Sequence, residues 1–279
     1  MTAPFRNSAV APGIAFITGG ARGLGNAIGV SFAKEGSKGV ALVDIFAEDS
    51  DTFKAGKEAV EKFGTKCITI RADVTKEADV ERAIARTVEE FGRIDYAANF
   101  AGVVGPLGMS WDVPLEDWKK VIDVNLVGVW ICVKHELKQM LKQSSIGGIE
   151  EGRVPQLGSI VNAASVNSIQ AGAGTSGYTG AKHGVVGITK AAALEGRGHG
   201  IRVNAVSPGF LTTDLLKSNF EDGSLPSATW KIYEARQGRI ATFDEVGDAV
   251  VLLSTPRMSL VNGVNLPIDG GFTINENTL

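Results

Sequence analysis

The run Ile14-Ala-Phe-Ile-Thr18 and the loop Gly19-Gly-Ala-Arg-Gly-Leu-Gly25 that follows it decide the fold. The run is short, apolar and bounded by glycine, which predicts a buried strand. Residues 26–36 after the loop are largely apolar and end in glycine, which predicts a helix. Glycines in this position let the backbone turn tightly and approach a pyrophosphate, whose charge the helix N-terminus meets. The spacing is Gly-x-x-x-Gly-x-Gly, and its place between strand and helix indicates a phosphate-binding loop.

Apolar strands and helices continue to alternate along the chain. Further strands are predicted at residues 40–44, 66–71, 94–98, 159–163, 201–206 and 264–268. Further helices are predicted at residues 47–63, 74–91, 115–141, 177–194 and 246–253. This alternation predicts βαβ units with right-handed crossovers, which place helices on both faces of a parallel sheet. We therefore expect an α/β fold with a doubly wound, Rossmann-like sheet of about seven strands.

No change of composition or linker divides the chain, so we expect residues 13–279 to form a single dinucleotide-binding and catalytic domain. Residues 1–12 lack the apolar core of a signal peptide and are expected to be a loose leader. Residues 143–158 indicate a surface loop. Residues 210–240 are too long for a plain connection and too polar for the core, and such stretches are usually functional. We expect them to form a lid over the substrate.

The composition excludes several classes of protein. The chain has 279 residues, a formal net charge of −3 and 44 % hydrophobic residues, which is typical of a globular protein. It has no basic stripe that would indicate nucleic acid and no run of eighteen apolar residues that would indicate a membrane span. Cys67 and Cys132 lie far apart in apolar segments, which favours buried thiols in a reducing compartment. We predict a cytoplasmic protein that binds a small-molecule substrate and no metal ion.

Asp44 ends the second predicted strand, nineteen residues after Gly25. A carboxylate there accepts hydrogen bonds from the adenosine ribose and repels a 2′-phosphate, which favours NAD over NADP. Arg22, inside the glycine loop, competes because its charge attracts that phosphate; it is equally placed to contact the pyrophosphate or solvent. We weight Asp44 over Arg22 and predict NAD. Asp73, followed by Val74, is expected to reach the adenine edge or to cap the next helix.

Tyr178 and Lys182 stand four residues apart in a predicted helix, so their side chains share one face, one turn apart. A cation beside a phenol favours the phenolate, so we expect the pKa of Tyr178 to fall toward the range in which a base works. Ser165 lies thirteen residues before Tyr178. His183 points about 100° around the helix from Lys182, so we predict a packing or solvated side chain for it.

With these residues, the sequence resembles the short-chain dehydrogenase/reductase family in its single-domain form. The resemblance covers residues 14–272, and its markers occur in the family's order. Asn99-Phe-Ala-Gly102 is similar to the family's Asn-Asn-Ala-Gly, with Phe100 in place of the second Asn, and Ala164 stands where the family often has another Ser. The further matches are Asn125 in a helix, Ser159-Ile-Val-Asn-Ala-Ala-Ser165, Arg202-Val-Asn-Ala-Val-Ser-Pro-Gly209 and Asp269-Gly-Gly271.

The resemblance implies hydride transfer between a secondary alcohol or ketone and a nicotinamide ring. It implies that Tyr178 exchanges a proton with the substrate oxygen and that Ser165 positions this oxygen. Lys182 is expected to hold the nicotinamide ribose and to lower the pKa of Tyr178. Asn125 is expected to hold a water that links Lys182 to solvent. The structural alternatives are a satisfied buried amide for Asn125 and a strand-end cap for Ser165.

These observations define the predicted site. The predicted catalytic residues are Ser165, Tyr178, Lys182 and Asn125. The predicted cofactor-binding residues are Gly19, Arg22, Gly23, Leu24, Gly25, Asp44, Asp73, Val74, Asn99, Ala101, Gly102, Tyr178, Lys182, Pro208, Gly209 and Thr213. Thr213 is expected to bind the nicotinamide carboxamide, and Thr212 competes with it because the spacing after Pro208 leaves the choice open.

Apolar side chains dominate the segments that are expected to form the substrate pocket, which are residues 103–113, 166–172 and 210–240. They are Val103, Val104, Leu107, Met109, Trp111, Phe210, Leu211, Leu215, Leu216, Phe220 and Trp230. They favour a lipophilic substrate, such as a terpenoid, steroid or polyketide-derived alcohol, over a sugar. The alternative is that several of them only pack the lid.

The leading prediction is an NAD-dependent alcohol dehydrogenase or ketoreductase, with an NADP-dependent ketoreductase as the alternative. Two other functions compete: a cofactor-sensing scaffold and a non-redox enzyme on the same fold. The intact set of Ser165, Tyr178 and Lys182 argues against a sensor, which needs only the glycine loop. The resemblance also implies a homo-oligomer, a dimer or tetramer, formed through the helices of residues 115–141 and 178–197.

Overall fold

The structure is a computed structural model that describes residues 9–146, 153–211 and 227–274. Within these residues, seven strands form one sheet in the order β3-β2-β1-β4-β5-β6-β7, and all neighbouring pairs are parallel. The strands are β1 Ile14–Thr18, β2 Gly39–Asp44, β3 Lys66–Arg71, β4 Tyr96–Asn99, β5 Gly158–Ala163, β6 Ile201–Pro208 and β7 Asn265–Ile268. The helices are α1 Gly23–Lys34, α2 Asp51–Glu61, α3 Glu77–Phe91, α4 Leu115–Ile122, α5 Gly128–Met140, α6 Ser176–Gly196, α7 Ser227–Gln237 and α8 Phe243–Ser254. The predicted doubly wound, Rossmann-like fold is confirmed.

Both faces of the sheet carry a hydrophobic core. Successive side chains of a strand point to opposite faces, so Phe16 joins one core cluster with Ile70, and Ile17 joins the other with Phe32. All four side chains are fully buried. Burial on both faces explains why the strands are continuous apolar runs, since a half-exposed strand would alternate apolar and polar residues.

The order of the strands reverses between β1 and β4, which lie side by side. At such a switch point the loops that follow the two strands diverge and leave a crevice at their carboxyl ends. Thr18 is paired with Asn99 at the last position of the two strands. Thr18 Oγ1 accepts hydrogen bonds from the N–H groups of Phe100 (3.2 Å) and Ala101 (3.3 Å). This side chain therefore ties together the two segments that border the crevice.

Five of the six predicted helices begin at other residues than predicted; α2 begins at Asp51 rather than at residue 47, α6 at Ser176 rather than at residue 177, and α8 at Phe243 rather than at residue 246. Helix α1 begins at Gly23, inside the glycine loop, rather than at residue 26. Helix α3 begins at Glu77 rather than at residue 74, because Asp73 Oδ1 accepts hydrogen bonds from the N–H and the hydroxyl of Thr75 and closes a turn there. The N-cap of α3 is Lys76, so Asp73 does not cap this helix.

The stretch of residues 115–141, predicted as one helix, forms three elements. Between α4 and α5, Asp123–Val127 is a π-helical turn in which the N–H of Gly128 donates to the carbonyl oxygen of Asp123. Such turns are rare and often occur at functional sites. The predicted lid contains helix α7, which the sequence patterns did not predict, and its residues 212–226 lie outside the described residues.

The segment before β1 is attached to the domain where the structure describes it. Ala11, within the predicted leader of residues 1–12, is fully buried, and its N–H donates to the carbonyl oxygen of Glu35 at 3.0 Å. Residues 1–8 and, in the predicted surface loop, residues 147–152 lie outside the described part. Within the described ranges, no helix is long and apolar enough to cross a membrane. Cys67 and Cys132 are buried and unbridged.

Candidate active site

The glycine loop folds as a tight turn that leads into α1. Gly19 and Gly23 have φ angles of 68° and 57°, in the left-handed region that favours glycine. A Cβ atom on Gly25 would lie 2.1 Å from the carbonyl oxygen of Gly19, so only glycine fits at residue 25. A Cβ atom on Gly23 would meet nothing within 4 Å. The backbone at this point of the loop therefore faces open space.

No side chain caps the N-terminus of α1. Its N-cap is Arg22, which makes no side-chain capping hydrogen bond, and the first turn holds no acidic residue. The first N–H groups of a helix have no partner within the helix, and together with the helix dipole they attract an anion. The open backbone at Gly23 allows a diphosphate to approach them. The loop therefore fits the pyrophosphate of a dinucleotide.

Asp44 lies at the end of β2 beside the glycine loop. Its Oδ2 accepts a hydrogen bond from the N–H of Ala21 at 3.1 Å, and its Oδ1 accepts one from the N–H of Ile45 at 2.8 Å. Burial raises the pKa of Asp44, and the two N–H groups and the charge of Arg22 partly offset this. The Arg22 guanidinium lies 5.3 Å from the centroid of the Phe46 ring. Asp44 is expected to favour NAD, and Arg22 is expected to favour NADP. The two side chains are thus close enough to interact.

Ser165, Tyr178 and Lys182 meet at the carboxyl end of β5. Ser165 follows this strand, and the other two residues lie one turn apart near the start of α6. The Ser165 hydroxyl lies beside the Tyr178 phenol, whose pKa it lowers, and accepts a hydrogen bond from the N–H of Asn167 at 3.2 Å. Lys182 Nζ lies 5.4 Å from the centroid of the Tyr178 ring and donates to the carbonyl oxygen of Ala163 at 2.7 Å. The end of β5 and the start of α6 therefore hold three of the four predicted catalytic side chains together.

The pKa of Tyr178 differs from the sequence-based expectation. Burial raises this pKa, and the neighbouring Ser165 hydroxyl lowers it only in part. Burial also lowers the pKa of Lys182 to about 8, because a buried ammonium group loses hydration. The expected fall in the pKa of Tyr178 is therefore wrong for the protein chain itself. Loss of hydration has a larger effect on the phenol than the neighbouring cation has.

Asn125 lies in the π-helical turn and is fully buried. Its Oδ1 accepts a hydrogen bond from the N–H of Val103 at 2.9 Å, and its Nδ2 donates to the carbonyl oxygen of Val103 at 2.6 Å. Both polar atoms are thus used on one backbone segment, which favours the satisfied buried amide over a side chain that holds a water. A Cβ on Gly102 would lie 2.8 Å from Asn125 Oδ1, so the amide also fixes the loop after β4.

Two of the predicted cofactor-binding residues have side chains that are buried elsewhere in the protein. Asn99 Nδ2 donates to Glu136 Oε2 and to Asn162 Oδ1, both at 3.0 Å, in a buried network. Val74 is 6 % exposed and belongs to the hydrophobic core. Neither side chain is available to a cofactor, and only the backbone at these positions remains for that role. Asp73 stays a prediction, with its carboxylate turned to Thr75.

One cavity of about 620 Å³ joins the site. The predicted site residues that line it are Leu24, Gly102, Asn125, Ser165, Tyr178, Lys182, Pro208 and Gly209. Its apolar and aromatic wall is formed by Phe100, Val104, Leu107, Phe210, Leu211, Tyr233 and Phe272. The predicted residues that do not line it are Gly19, Arg22, Gly23, Gly25, Asp44, Asp73, Val74, Asn99 and Ala101. The cavity thus holds the catalytic set and part of the cofactor set, with Asp44 and most of the glycine loop outside it.

The predicted substrate pocket is right only in part. Four residues assigned to the pocket do not line the cavity, which corrects their assignment: Val103, Met109, Trp111 and Trp230. Met109 and Trp111 are 46 % and 81 % exposed, and Trp230 packs edge-on against Phe210. Tyr233 and Phe272 were not predicted, because no local sequence pattern shows that they meet Phe210. Their aromatic character was the only signal. The predicted residues outside the described part of the chain are Thr212, Thr213, Leu215, Leu216 and Phe220.

A parallel sheet with a loop for a diphosphate and a Ser-Tyr-Lys set at its carboxyl edge defines a class, the nicotinamide-dependent oxidoreductases. A family model described as enoyl-(acyl carrier protein) reductase matches residues 19–273. Zerumbone synthase from Zingiber zerumbet is 36 % identical over 276 residues, which cover 95 % of this chain and 96 % of the relative. (+)-Borneol dehydrogenase 2 from Salvia officinalis is 35 % identical, with 95 % and 91 % covered.

The crystal structure of levodione reductase has a TM-score of 0.84 at 35 % identity and covers 95 % of this chain and 98 % of its own. The chain therefore belongs to the short-chain dehydrogenase/reductase family. It is an oxidoreductase that transfers a hydride between a nicotinamide cofactor and a secondary alcohol or ketone. The predicted family and reaction class are confirmed.

Proposed function

We propose that the protein is an NAD-dependent dehydrogenase of lipophilic secondary alcohols, such as terpenoid, steroid or polyketide-derived alcohols. The observation that carries this proposal is the cavity, in which Ser165, Tyr178 and Lys182 face a wall of aromatic and aliphatic side chains. A wall of this kind removes apolar surface from water when a lipophilic substrate binds. The relatives named as borneol dehydrogenases, from Salvia officinalis and Lavandula x intermedia, support an alcohol as substrate.

Oxidation of an alcohol removes a hydride and a proton, and a bound NAD supplies the acceptor of the hydride. The Tyr178 oxygen accepts the proton from the substrate hydroxyl. Ser165, whose hydroxyl lies beside Tyr178, holds the same substrate oxygen in place. The charge of Lys182, 5.4 Å from the Tyr178 ring, stabilises the phenolate that the reaction requires. Asn125 fixes the loop at Gly102 and Val103 beside these groups.

The proposal is tested by following the formation of reduced nicotinamide with NAD and a matched panel of secondary alcohols. The panel contains a bicyclic terpenoid alcohol, a steroid alcohol and a sugar alcohol. We expect kcat/KM for the lipophilic alcohols to exceed that for the sugar alcohol by at least about tenfold, the size that one or two buried methylene groups provide. Turnover of the sugar alcohol alone contradicts a lipophilic substrate. Binding of NAD without turnover of any alcohol would favour the two alternatives, a cofactor-sensing scaffold and a non-redox enzyme on the same fold.

Asp44→Ala is expected to reduce the preference for NAD over NADP by about ten- to a hundredfold. A carboxylate beside a 2′-phosphate repels it by on the order of a few kcal/mol when the charges are partly screened. The variant removes this repulsion and leaves the attraction of Arg22. Calorimetric titration of both cofactors into the wild type and the variant measures the effect.

The control for this prediction is Asp49→Ala, because Asp49 is an exposed acid of the same β2–α2 connection. It removes the same charge at a position farther along the connection than Asp44, so its cofactor preference is expected to equal that of the wild type. A wild type that binds NADP more tightly than NAD refutes the role of Asp44 and gives Arg22 the larger part.

We also propose that the chain forms a dimer or tetramer. The helices that the resemblance assigns to subunit contacts expose large apolar side chains, among them Trp118 (37 %), Trp130 (49 %) and Leu194 (62 %). Gel filtration that reports a monomer contradicts this.

We also propose a cytoplasmic location. The buried, unbridged thiols of Cys67 and Cys132 support it, because free thiols persist in a reducing compartment.

A further inference from the structure

Gln237, the last residue of α7, makes three hydrogen bonds to the backbone near the cavity. Its Oε1 accepts from the N–H of Phe210 at 2.7 Å, and its Nε2 donates to the carbonyl oxygens of Phe210 and Arg239, both at 2.9 Å. The side chain is only 5 % exposed. A Cβ atom on Gly209 would lie 2.1 Å from Gln237 Oε1, so the amide packs directly on the segment that leaves β6. Gln237 thus holds both backbone groups of Phe210.

The same helix holds the ring of Phe210. Tyr233, one turn before Gln237, stacks on this ring with centroids 4.2 Å apart and planes at 15°. Phe272 packs against it edge-on, with centroids 5.0 Å apart. Phe210, Tyr233 and Phe272 all line the cavity, and we call them the aromatic wall. Helix α7 therefore fixes the central residue of the wall twice, through its backbone and through its ring.

We propose that Gln237 is a positioning residue that holds the aromatic wall and so sets the size of substrate that the enzyme accepts. The inference rests on the proposed function. Gln237 does not line the cavity, whereas Ser165 and Tyr178, which do, are placed by β5 and α6. Loss of its hydrogen bonds therefore loosens the wall without moving the reacting groups. A substrate that reaches the wall loses binding, whereas a small substrate reacts as before.

The test compares Gln237→Leu with Gln143→Leu. The amide of Gln143 makes the same kind of clamp, accepting from the N–H of Ile94 at 2.9 Å and donating to its carbonyl oxygen at 2.8 Å. Ile94 precedes β4 and so lies at the amino-terminal ends of the strands, whereas the cavity lies at their carboxyl-terminal ends. Each variant loses an amide that holds both backbone groups of one residue, and Gln237→Leu also loses the bond to Arg239, so both are expected to lose stability. Only Gln237→Leu is expected to change the selectivity between substrates.

For Gln237→Leu we expect KM for a bicyclic or steroid alcohol to rise about tenfold, with kcat for a small alcohol such as 2-butanol within about twofold of the wild type. Gln237→Glu supplies the rescue. A protonated carboxyl group accepts from the N–H of Phe210 and donates to its carbonyl oxygen, whereas a carboxylate repels that oxygen. The selectivity of this variant is therefore expected to return toward that of the wild type as the pH falls.

A second readout needs neither cofactor nor turnover. Hydrogen exchange of the peptide that contains residues 209–211 is expected to accelerate in Gln237→Leu and to stay unchanged in Gln143→Leu. Faster exchange together with unchanged selectivity overturns the inference, because the wall then moves without affecting the substrate. Equal selectivity and exchange in the two variants overturn it as well. If the wild type oxidises no alcohol, the proposed function fails instead, and calorimetric binding of a bulky ketone to the two variants replaces KM as the measure of selectivity.

Discussion

Tyr178→Phe is expected to lower kcat by at least about 10²-fold, a size typical of the loss of a general acid or base, while the affinity for NAD stays unchanged. The variant removes only the hydroxyl group, which lies beside that of Ser165. The ring remains and keeps its contact with Lys182 Nζ, 5.4 Å from its centroid. The groups that fit the cofactor, the glycine loop and Asp44, lie outside the altered position. Steady-state kinetics and calorimetric titration with NAD measure the two quantities.

Tyr233→Phe is the matched control, because Tyr233 is a second phenol that lines the same cavity. Its ring stacks on Phe210, and this contact does not involve the hydroxyl. We expect kcat in this variant within about threefold of the wild type, since no proton transfer depends on the group. Equal losses in the two variants would show that a phenol matters for packing or for substrate binding in general. Unchanged turnover in Tyr178→Phe would remove this residue from the reaction.

The raised pKa of Tyr178 gives this experiment a second purpose. In the protein chain itself, burial opposes formation of the phenolate, and burial lowers the pKa of Lys182 to about 8. Any lowering of the phenol's pKa below its ordinary value must therefore come with the bound cofactor. In the wild type, ionisation of Tyr178 is expected to give an inflection in the pH profile of kcat/KM. We expect this inflection to be absent from the profile of Tyr178→Phe. The spacing of two residues on a helix predicts their proximity well but does not predict how much water they lose.

The fold was predictable because its signals are local. The run at residues 14–18, the glycine loop and the alternation of strands and helices each depend on neighbours in the sequence. The proximity of the predicted catalytic residues was predictable because Tyr178 and Lys182 lie on one helix and because Ser165 follows the adjacent strand β5 by two residues. The break in the stretch 115–141 was not predictable in the same way. Helical periodicity continues through a π turn, so the turn at Asp123–Val127 leaves little trace in the pattern.

The sequence did not predict side-chain contacts between residues that are far apart in the chain. Asn99 was assigned to the cofactor from its position after β4, yet its amide is turned to Glu136 and Asn162, 37 and 63 residues away. Gln237 and Phe210 are separated by 27 residues, which include part of the predicted lid. No periodicity connects such pairs, because their contact depends on how whole elements pack. The same limit hid the buried Glu136, which carries the last prediction.

Glu136→Gln is expected to stabilise the protein at pH 8 by on the order of a few kcal/mol. Glu136 is fully buried on α5, and burial raises its pKa from 4.5 to about 8. Glu136 Oε1 and Asn99 Oδ1 are both buried and have no hydrogen-bond donor from the described residues. A glutamine has nearly the same shape, can accept from Asn99 Nδ2 and replaces the unpartnered Glu136 Oε1 with an amide nitrogen. It therefore removes a buried acid whose charged form is costly without hydration.

The dependence on pH distinguishes this explanation from a general gain in packing. Between pH 4.5 and about pH 8, the folded protein holds a proton on Glu136 that the unfolded chain releases, so the stability that this residue contributes falls as the pH rises through this window. The difference in unfolding free energy between Glu136→Gln and the wild type is therefore expected to grow across the window and to level off above it. Chemical denaturation at several pH values measures this difference. Cys132, the neighbouring titratable group, has a pKa raised well above its ordinary value and does not titrate there.

Glu245→Gln is the control, because Glu245 is partly exposed at the start of α8 and its pKa is lowered to about 2 by Arg239 and Thr242. This residue titrates between its lowered pKa in the folded protein and its ordinary pKa of 4.5 in the unfolded chain, so the variant is expected to lose stability by an amount that stays nearly constant above about pH 5.5. A difference for Glu136→Gln that is constant over the window would mean that the carboxyl group keeps its charge when buried. Among the described residues, a carboxylate at this position would then have Asn99 Nδ2 as its donor, while Glu136 Oε1 has none. A fully buried carboxylate needs more hydrogen bonds than this to stay ionised, so the contacts favour the protonated form, and with it a difference that increases with pH.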